Sequence, residues 1–256
     1  DVNNLEYIFK KFTINHIYHA AAYKHVPLVE NENNISKAAE NNILGTYNLA
    51  NVAVKYHVSS FVMISTDKAV RPTNIMGATK RFAEIIIQSI NSQANDTKFS
   101  MVRFGNVINS SGSVIPLFID QISRGGPITV THKEVKRYFM TIPEASNLVL
   151  QAGEMSTGGE VFILDMGEQV KIFDLARKLI HLSGMNHSDG DESIDGIEIV
   201  EVGLRPGEKM YEELLISGSE IKTDNAKIYK ANESFIELQK LQPMLVDLKE
   251  FIDNHD

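Results

Sequence analysis

The first half of the chain alternates between short apolar runs and longer segments with helical periodicity. Each apolar run has the length of a strand, whereas the segments between the runs repeat their apolar positions every three or four residues. The strand-like runs cover residues 14–22, 61–65 and 99–104, and the helical segments cover 35–56 and 76–90. Strands that alternate with longer helices are typical of a parallel sheet covered on both faces, so this half predicts an α/β fold.

The second half has a different texture and predicts a smaller α+β part. Its helical segments cover 114–122, 143–155, 172–183 and 233–251, with strand-like runs at 128–131, 160–165 and 197–202. Residues 184–196 are polar and contain glycine, which is typical of an exposed loop. We place a soft domain boundary near residue 108, because the alternation of the first half ends there.

The composition excludes several classes of protein. The 256 residues are 43% hydrophobic and 23% charged, as in globular proteins, and no apolar run approaches the about 18–20 residues that cross a bilayer. A net charge of −8 without a basic stripe argues against a nucleic-acid partner. The absence of cysteine excludes disulfides and thiol catalysis. The eight histidines lack metal-ligand spacing, so we expect no catalytic metal.

The segment STDKAVRPTNIMGATK, residues 65–80, carries the most informative chemistry. A hydrophobic run leads directly into Ser65, Thr66, Asp67 and Lys68. In open α/β sheets, ligands bind at the carboxyl ends of the strands, and an adjacent carboxylate and amine can act there as acid and base. The alternative is a surface turn with a solvated ion pair, because aspartate and lysine are common in loops.

A methionine and a lysine follow in the next predicted helix. Met76 and Lys80 are four residues apart and therefore lie on one helix face. Their spacing resembles the Tyr-x-x-x-Lys pair of the short-chain dehydrogenase/reductase superfamily, with methionine in place of tyrosine. Core packing of Met76 and an exposed helix charge at Lys80 are the alternatives.

Eight segments occur in an order that resembles one family. They are HAAAYKHVPLVE (19–30), NNILGTYN (41–48), STDKAVRPTNIMGATKR (65–81), VRFGNV (102–107), GSVIPLF (112–118), RYFMTIPEA (137–145), GGEVFILDMGE (158–168) and GLRPGEKMYEEL (203–214). Together they resemble the capsule-type polysaccharide-biosynthesis family of nucleotide-sugar dehydratases. The characterised members of that family are UDP-N-acetylglucosamine 4,6-dehydratases, which are extended short-chain dehydrogenases. The resemblance covers nearly the whole chain.

The resemblance implies a Rossmann-like doubly wound parallel sheet that lacks its N-terminal strands, and a smaller C-terminal α+β substrate domain. Residues 1–108 would be the remainder of an NAD-binding Rossmann domain. Residues 109–256 would mostly bind the nucleotide sugar, with some elements returning to the sheet. None of the 16 glycines forms the G-x-G-x-x-G loop that cradles a dinucleotide pyrophosphate. We therefore expect the sequence to begin partway into a larger protein.

The function that the resemblance implies is NAD-dependent 4,6-dehydration of a UDP-N-acetylhexosamine, with UDP-N-acetylglucosamine as the expected substrate. The 4-keto-6-deoxy product would feed capsule, lipopolysaccharide or another surface glycan. This lyase would be cytoplasmic or the cytoplasmic domain of an inner-membrane protein, with no membrane contact from this segment. By analogy, a homo-oligomer would form through the helices at 35–56 and 76–90. A nucleotide-sugar 4-epimerase or reductase, and an inactive fragment that only binds nucleotide, remain as alternatives.

The resemblance also assigns catalytic roles around the strand end. Lys68 would take the proton from C5, and Asp67, if protonated, would give one to the leaving C6 hydroxyl. Thr66 would hydrogen-bond the C4 oxygen, and Lys80 would hydrogen-bond the cofactor ribose. Met76 fills the tyrosine position but cannot exchange a proton. The group that deprotonates the C4 hydroxyl therefore stays open between Asp67 and a water relayed through Thr66.

Further positions are expected to contact the ligands. Small residues after the first strand would let the cofactor pass close over them, although tight packing explains small residues equally well. Arginine forks suit a diphosphate, although a surface ion pair is the ordinary alternative. The expected cofactor-binding residues are Asp1, Val2, Ala20, Ala21, Ala22, Lys24, Asn42, Ser65, Lys80 and Phe104. The expected substrate-binding residues are Lys24, Asn106, Arg137, Arg205 and Glu208.

Overall fold

The chain forms two compact units in the computed structural model, which describes residues 1–94, 96–188, 196–216, 220–231 and 233–254. The first unit comprises Asp1–Phe104, Asn147–Asp165 and Glu213–Asp256, and the second comprises Gly105–Ser146 and Met166–Glu212. Most of the predicted loop 184–196 lies outside the described residues, because 189–195 are not among them.

The helices and strands follow the predicted alternation in the first half of the chain. The helices are α1 (Val2–Lys11), α2 (Val26–Val29), α3 (Glu32–Ala39), α4 (Gly45–Lys55), α5 (Ile75–Asn91), α6 (Val114–Ser123), α7 (Ile142–Glu154), α8 (Ile172–Leu182) and α9 (Leu238–Asn254). The strands are β1 (His16–His19), β2 (Ser60–Thr66), β3 (Lys98–Phe104), β4 (Asn106–Val107), β5 (Ile128–Val130), β6 (Lys136–Arg137), β7 (Phe139–Met140), β8 (Val161–Leu164), β9 (Val170–Lys171), β10 (His187–Ser188), β11 (Ile197–Glu201), β12 (Glu220–Lys222) and β13 (Ile228–Ala231). Within the described ranges, no helix combines the length and the hydrophobicity needed to span a lipid bilayer.

The first unit is built on a six-stranded sheet in the order β1-β2-β3-β8-β13-β12. The pairs β1–β2, β2–β3 and β3–β8 are parallel, so the carboxyl ends of these strands lie at one edge. This arrangement confirms the predicted Rossmann-like fold. The sheet continues through β13, which is antiparallel to β8, and β12, which is antiparallel to β13.

The core of the first unit lies between this sheet and its helices. Phe61, Val62 and Met63 of β2 are fully buried, which explains why the strand is a continuous apolar run rather than an alternating one. The rings of Phe61 and Phe99 pack with their centroids 5.2 Å apart. Burial of each such side chain contributes about 1.5–3 kcal/mol, so the central strands are held rigidly in place.

The helix predicted over residues 35–56 is interrupted. The chain passes from α3 into a π-helical turn, Glu40–Leu44, and then into α4. The turn contains Asn42, whose side-chain amide bonds the backbone of Tyr23 and the hydroxyl of Thr79. π turns of this kind often occur at functional sites, because they insert one extra residue and redirect the side chains around it.

The C-terminal helix covers part of the surface predicted to form an oligomer. Leu241 and Leu245 of α9 are buried in the same core as Ile86 and Ile90 of α5, and α9 packs against α5. The face of α5 that α9 covers is therefore internal to the chain. Association of two copies through the helices at 35–56 and 76–90 stays a prediction.

The second unit contains smaller sheets and two amphipathic helices. Strands β10, β11 and β5 form a parallel sheet, while β4 pairs with β7 and β6 pairs with β9. Apolar residues of α6 and α8 pack together with this three-stranded sheet in a separate core that includes Phe118, Ile122, Ile128, Ile180 and Ile199.

Candidate functional site

The three predicted catalytic residues at the end of β2 form one bonded cluster. Strand β2 ends at Thr66, and Asp67–Ala69 form a 3-10 turn. The Thr66 hydroxyl donates to Asp67 Oδ1 at 2.8 Å, and Lys68 Nζ lies 3.0 Å from the same oxygen. The Asp67 side chain is 0% exposed and that of Lys68 is 20% exposed. The structure therefore contradicts the alternative of a solvated surface pair.

The second carboxyl oxygen of Asp67 has a different environment. Asp67 Oδ2 is buried and has no hydrogen-bond partner among the described residues. A buried carboxyl oxygen without a partner costs free energy. Thr66 and Lys68 thus engage Oδ1, whereas Oδ2 keeps its hydrogen-bonding capacity unused among the described residues.

The first turn of α5 packs directly against the backbone of the 3-10 turn. A Cβ atom added to Gly77 would lie 2.2 Å from the carbonyl oxygen of Lys68, so only glycine permits this approach. Asn74 caps the helix, since its Oδ1 accepts from Gly77 N at 2.8 Å. Met76 is buried against Val29, as the core-packing alternative predicts. The helix start thus fixes the position of the turn that carries Lys68.

Lys80 lies one turn further along α5 and is buried. Its Nζ donates to the carbonyl oxygen of Ile64 in β2 at 2.7 Å. Burial lowers the pKa of Lys80 to about 8, and the charge of Glu84 opposes the shift. Lys80 therefore holds the end of β2 through a backbone contact. The predicted contact of Lys80 with a cofactor ribose stays a prediction.

A chain of buried polar groups connects β1 to α5. His19 of β1 lies with Nε2 2.9 Å from the Thr46 hydroxyl, and that hydroxyl donates to the Asn42 carbonyl oxygen at 2.8 Å. Burial, together with the nearby charge of Lys80, lowers the pKa of His19 to about 4. The Asn42 side chain is fully buried and holds the loop at Tyr23 on both its N–H and its C=O. Asn42 thus positions this loop, and its predicted cofactor contact stays a prediction.

The other predicted cofactor-binding residues lie in different elements of the first unit. Ala20 and Ala21 follow β1 directly and are exposed, which disfavours tight packing as the reason for their small size. Phe104 ends β3 and pairs in register with Thr66. Asp1 is the N-cap of α1, where its carboxylate accepts from Asn3 N at 2.8 Å. The remaining predicted positions are Ala22, which is half-buried after β1, and Val2 and Lys24, which are exposed.

A buried network of charged side chains lies between α5 and the ends of β2 and β3, and it was not predicted from the sequence. Glu84 of α5 accepts from Arg103 Nε at 2.7 Å, from Arg103 Nη2 at 2.5 Å and from Arg81 Nη1 at 2.9 Å. Both guanidinium groups also bond Glu233. The hydroxyl of Ser65, a predicted cofactor ligand, donates to Glu84 Oε1 at 2.6 Å. Ser65 is only 4% exposed, so its hydroxyl is directed into this network.

The charge states of Glu84 and Arg103 follow from their hydrogen-bond partners in this network. Burial alone would raise the pKa of Glu84, but the hydrogen bonds and charge of Arg103 hold it below its usual value. The pKa of Arg103 is raised, because its bonds to Glu84 and Glu233 outweigh the effect of burial. Glu84 and Arg103 therefore stay charged. The residue that could have indicated this network is Arg103, because it lies in a mostly apolar strand and a buried arginine requires acidic partners.

The predicted substrate-binding residues Asn106, Arg137, Arg205 and Glu208 belong to the second unit. Glu208 Oε1 accepts from Arg137 Nη2 at 3.0 Å and from the Thr131 hydroxyl at 2.9 Å. Arg137 is 8% exposed, whereas Arg205 is exposed and its backbone N–H donates to Glu208 Oε2 at 3.2 Å. Asn106, in β4, donates its N–H to the carbonyl oxygen of Tyr138. The hydrogen bonds of Glu208 thus bring Arg137 and Arg205 together around it.

The sequence is similar to proteins of polysaccharide biosynthesis. A family model described as polysaccharide biosynthesis protein matches residues 1–233. The capsular polysaccharide biosynthesis protein CapD of Staphylococcus aureus is 63% identical over 199 residues, which are 78% of this chain and 32% of CapD. A UDP-glucose 4-epimerase of Rickettsia canadensis is 35% identical over 218 residues, which are 84% of this chain and 60% of the epimerase. The chain spans about a third of CapD and less than two thirds of the epimerase.

Solved structures of the same fold complete the comparison. Pen from Bacillus thuringiensis matches with a TM-score of 0.77 and 35% identity, over 96% of this chain and 80% of Pen. A UDP-glucuronic acid 4-epimerase from Bacillus cereus, solved with UDP-glucuronic acid and NAD, matches with a TM-score of 0.71 and 20% identity, over 84% of this chain and 71% of the epimerase. The second match shows the fold alone. The family match and the identity to CapD show that the chain belongs to the polysaccharide biosynthesis protein family.

Proposed function

We propose that the full-length protein catalyses the NAD-dependent 4,6-dehydration of a UDP-N-acetylhexosamine, and that UDP-N-acetylglucosamine is its substrate. The observation that carries the proposal is the buried Asp67–Lys68 pair at the carboxyl end of a parallel strand. Loss of water across C5 and C6 needs one group that takes a proton from carbon and one that gives a proton to the leaving oxygen. An amine and a carboxyl 3.0 Å apart supply both groups.

The residues at this edge of the sheet fit a bound NAD. Ala20 and Ala21 are exposed and add little bulk after β1, so a flat ligand can lie close to the backbone there. The Bacillus cereus epimerase, which has the same fold, was solved with NAD. When bound, NAD would accept a hydride from C4 of the sugar and return it to C6. The 4-keto group makes the C5 proton acidic between these two transfers.

The chain's own side chains account for every proton in the reaction. Asp67 takes the proton of the C4 hydroxyl at Oδ2, while the Thr66 hydroxyl steers the C4 oxygen. Lys68 Nζ then takes the C5 proton, the electron pair of that C–H bond forms the C5–C6 double bond, and the C6–O bond breaks as Asp67 protonates the leaving oxygen. Once C6 is reduced, the Lys68 ammonium, whose protons exchange with solvent, gives a proton to C5. The amine and the carboxylate are thereby restored, and one water has been released.

The second unit would hold the nucleotide. Arg137 is largely engaged by Glu208 and by carbonyl oxygens, whereas the side chain of Arg205 is exposed. We therefore infer that Arg205 contacts the diphosphate and that Arg137 orients Glu208. Arg205→Ala should raise the KM for the UDP-sugar and leave kcat nearly unchanged, because it removes binding common to the ground state and the transition state.

A UDP-sugar 4-epimerase is the second candidate, favoured by the 35% identity to the Rickettsia canadensis enzyme. Epimerisation needs neither a base at C5 nor a proton donor at C6, so it leaves Lys68 without a role. The buried thioether of Met76 also supplies no proton where the superfamily has a tyrosine.

Product analysis tests the proposal. The full-length protein is incubated with UDP-N-acetylglucosamine and NAD in D2O, and the product is examined by mass spectrometry and NMR. Dehydration yields a product that has lost one water and carries deuterium at C5. An isomer of unchanged elemental composition, without deuterium at C5, would instead identify an epimerase. Binding of the nucleotide sugar without turnover would identify a nucleotide-binding protein.

A further inference from the structure

Two successive residues of β2 are held by one helix just before the catalytic turn. Lys80 of α5 bonds the Ile64 carbonyl oxygen at 2.7 Å, and Glu84, one helical turn later, accepts from the Ser65 hydroxyl at 2.6 Å. The next residues along the chain are the proposed catalytic group Thr66, Asp67 and Lys68. The position of the catalytic group relative to α5 therefore depends on these two bonds.

The Glu84 carboxylate accepts several hydrogen bonds besides the one from Ser65. Both of its oxygens accept from Arg103, and Oε2 also accepts from Arg81. Arg103 stands opposite Ser65 in the register of β2 and β3. The carboxylate thus connects α5, β2 and β3 at one level of the sheet, immediately before both strands end.

Stability alone is a poor reason for such a network. Buried ion pairs can often be replaced by well-packed apolar residues of similar volume without loss of stability, because desolvation offsets much of the attraction. Because Arg81 and Arg103 hold the Glu84 carboxylate, it does, however, restrict the position of the Ser65 hydroxyl that donates to it. Catalysis demands that accuracy, since a displacement of about 1 Å can cost on the order of 10²-fold in rate.

We propose that Ser65 and Glu84 are positioning residues, which set the location of Asp67 and Lys68 through the hydrogen bond between the Ser65 hydroxyl and the Glu84 carboxylate. This inference rests on the proposed dehydratase function. It replaces the expectation that Ser65 binds the cofactor.

The experiment compares two serine-to-alanine variants of the full-length protein. Ser65→Ala removes the hydroxyl that bonds Glu84. Ser89→Ala is the matched control, because Ser89 is also buried and belongs to the same helix as Glu84, and among the described residues its hydroxyl donates to the carbonyl oxygens of Ile85 and Ile236. Ser65→Thr keeps the hydroxyl and tests rescue. For each protein, kcat and KM for UDP-N-acetylglucosamine, the Kd for NAD and the melting temperature are measured.

The expected result is selective. In Ser65→Ala, kcat falls by about 10- to 100-fold while KM and the Kd for NAD stay within about twofold, because only the transition-state geometry is disturbed. Ser89→Ala keeps its kcat, and Ser65→Thr recovers most of it.

Three results would overturn the positioning role and leave the dehydratase proposal standing. They are an unchanged kcat in Ser65→Ala, an equal loss of kcat in Ser89→Ala, and a rise in the Kd for NAD that parallels the loss of kcat, which would restore Ser65 as a cofactor ligand. Absence of turnover in the unaltered protein would overturn the dehydratase proposal, and the positioning role with it.

Discussion

Replacement of Gly77 by alanine should separate activity from stability at this site. A Cβ atom at this position would lie 2.2 Å from the Lys68 carbonyl oxygen, whereas real Cβ contacts are essentially never closer than 3.0 Å. The 3-10 turn and α5 must therefore move apart by at least about 0.8 Å, the difference between these two distances. The carbonyl is backbone, so the displacement moves Lys68 itself.

The energetic effects of this substitution partly cancel. Overpacking costs about 1–3 kcal/mol, and alanine in a helix gains about 1 kcal/mol over glycine. We expect a net loss of about 0–2 kcal/mol in the free energy of unfolding. A displacement near 1 Å at the catalytic amine should lower kcat by on the order of 10²-fold.

Denaturant unfolding and steady-state kinetics of the full-length protein measure the two effects, with Gly45→Ala as the control. A Cβ at Gly45, the first residue of α4, would lie 3.7 Å from the Glu40 carbonyl oxygen, which is an ordinary van der Waals contact. Gly45→Ala should gain about 0.4–1 kcal/mol of stability and keep its activity. If Gly77→Ala matched Gly45→Ala in both stability and kcat, the close packing of α5 on the catalytic turn would not position Lys68.

Three further predictions follow from single side chains. Lys68→Ala should abolish solvent-deuterium exchange at C5 and leave UDP-sugar binding near normal by calorimetry; exchange that persists would remove Lys68 as the base. His19 has a folded pKa of about 4 against 6.5 ordinarily, so the unfolded chain binds the extra proton and stability falls as the pH drops from about 6.5 to 4. In urea titrations, His19→Gln should lose less stability across that window, by up to about 3 kcal/mol, and an unchanged pH dependence would contradict burial of His19 as the cause. Arg103→Leu should lose about 3–5 kcal/mol in the same titrations, because it leaves buried carboxylates uncompensated, and a loss below 1 kcal/mol would contradict the described network.

The sequence predicted the parallel part of the sheet well and its antiparallel continuation not at all. Strands β2 and β3 lie in mostly apolar runs, which are typical of a sheet covered on both faces. By contrast, β12 and β13 are three and four residues long and rich in charged residues, so no periodicity distinguishes them from a loop. Their place in the sheet is decided by pairing with β8, which is a tertiary contact.

The site was predictable to the extent that its chemistry is local. Thr66, Asp67 and Lys68 are consecutive, and the end of an apolar strand marks them. Their burial could not be inferred, because burial depends on tertiary packing rather than on the local sequence. The network around Glu84 was missed for the same reason, since Arg103 and Glu233 lie 19 and 149 residues away along the chain.

The long separation within this network has a consequence for protein synthesis. Glu233 follows Arg103 by 130 residues. At about 5–20 residues per second, the ribosome needs on the order of ten seconds to add that stretch. Throughout this interval the nascent Arg103 can pair with Glu84 but not with its second carboxylate, so the interior charges of the sheet cannot balance until Glu233 has been synthesised.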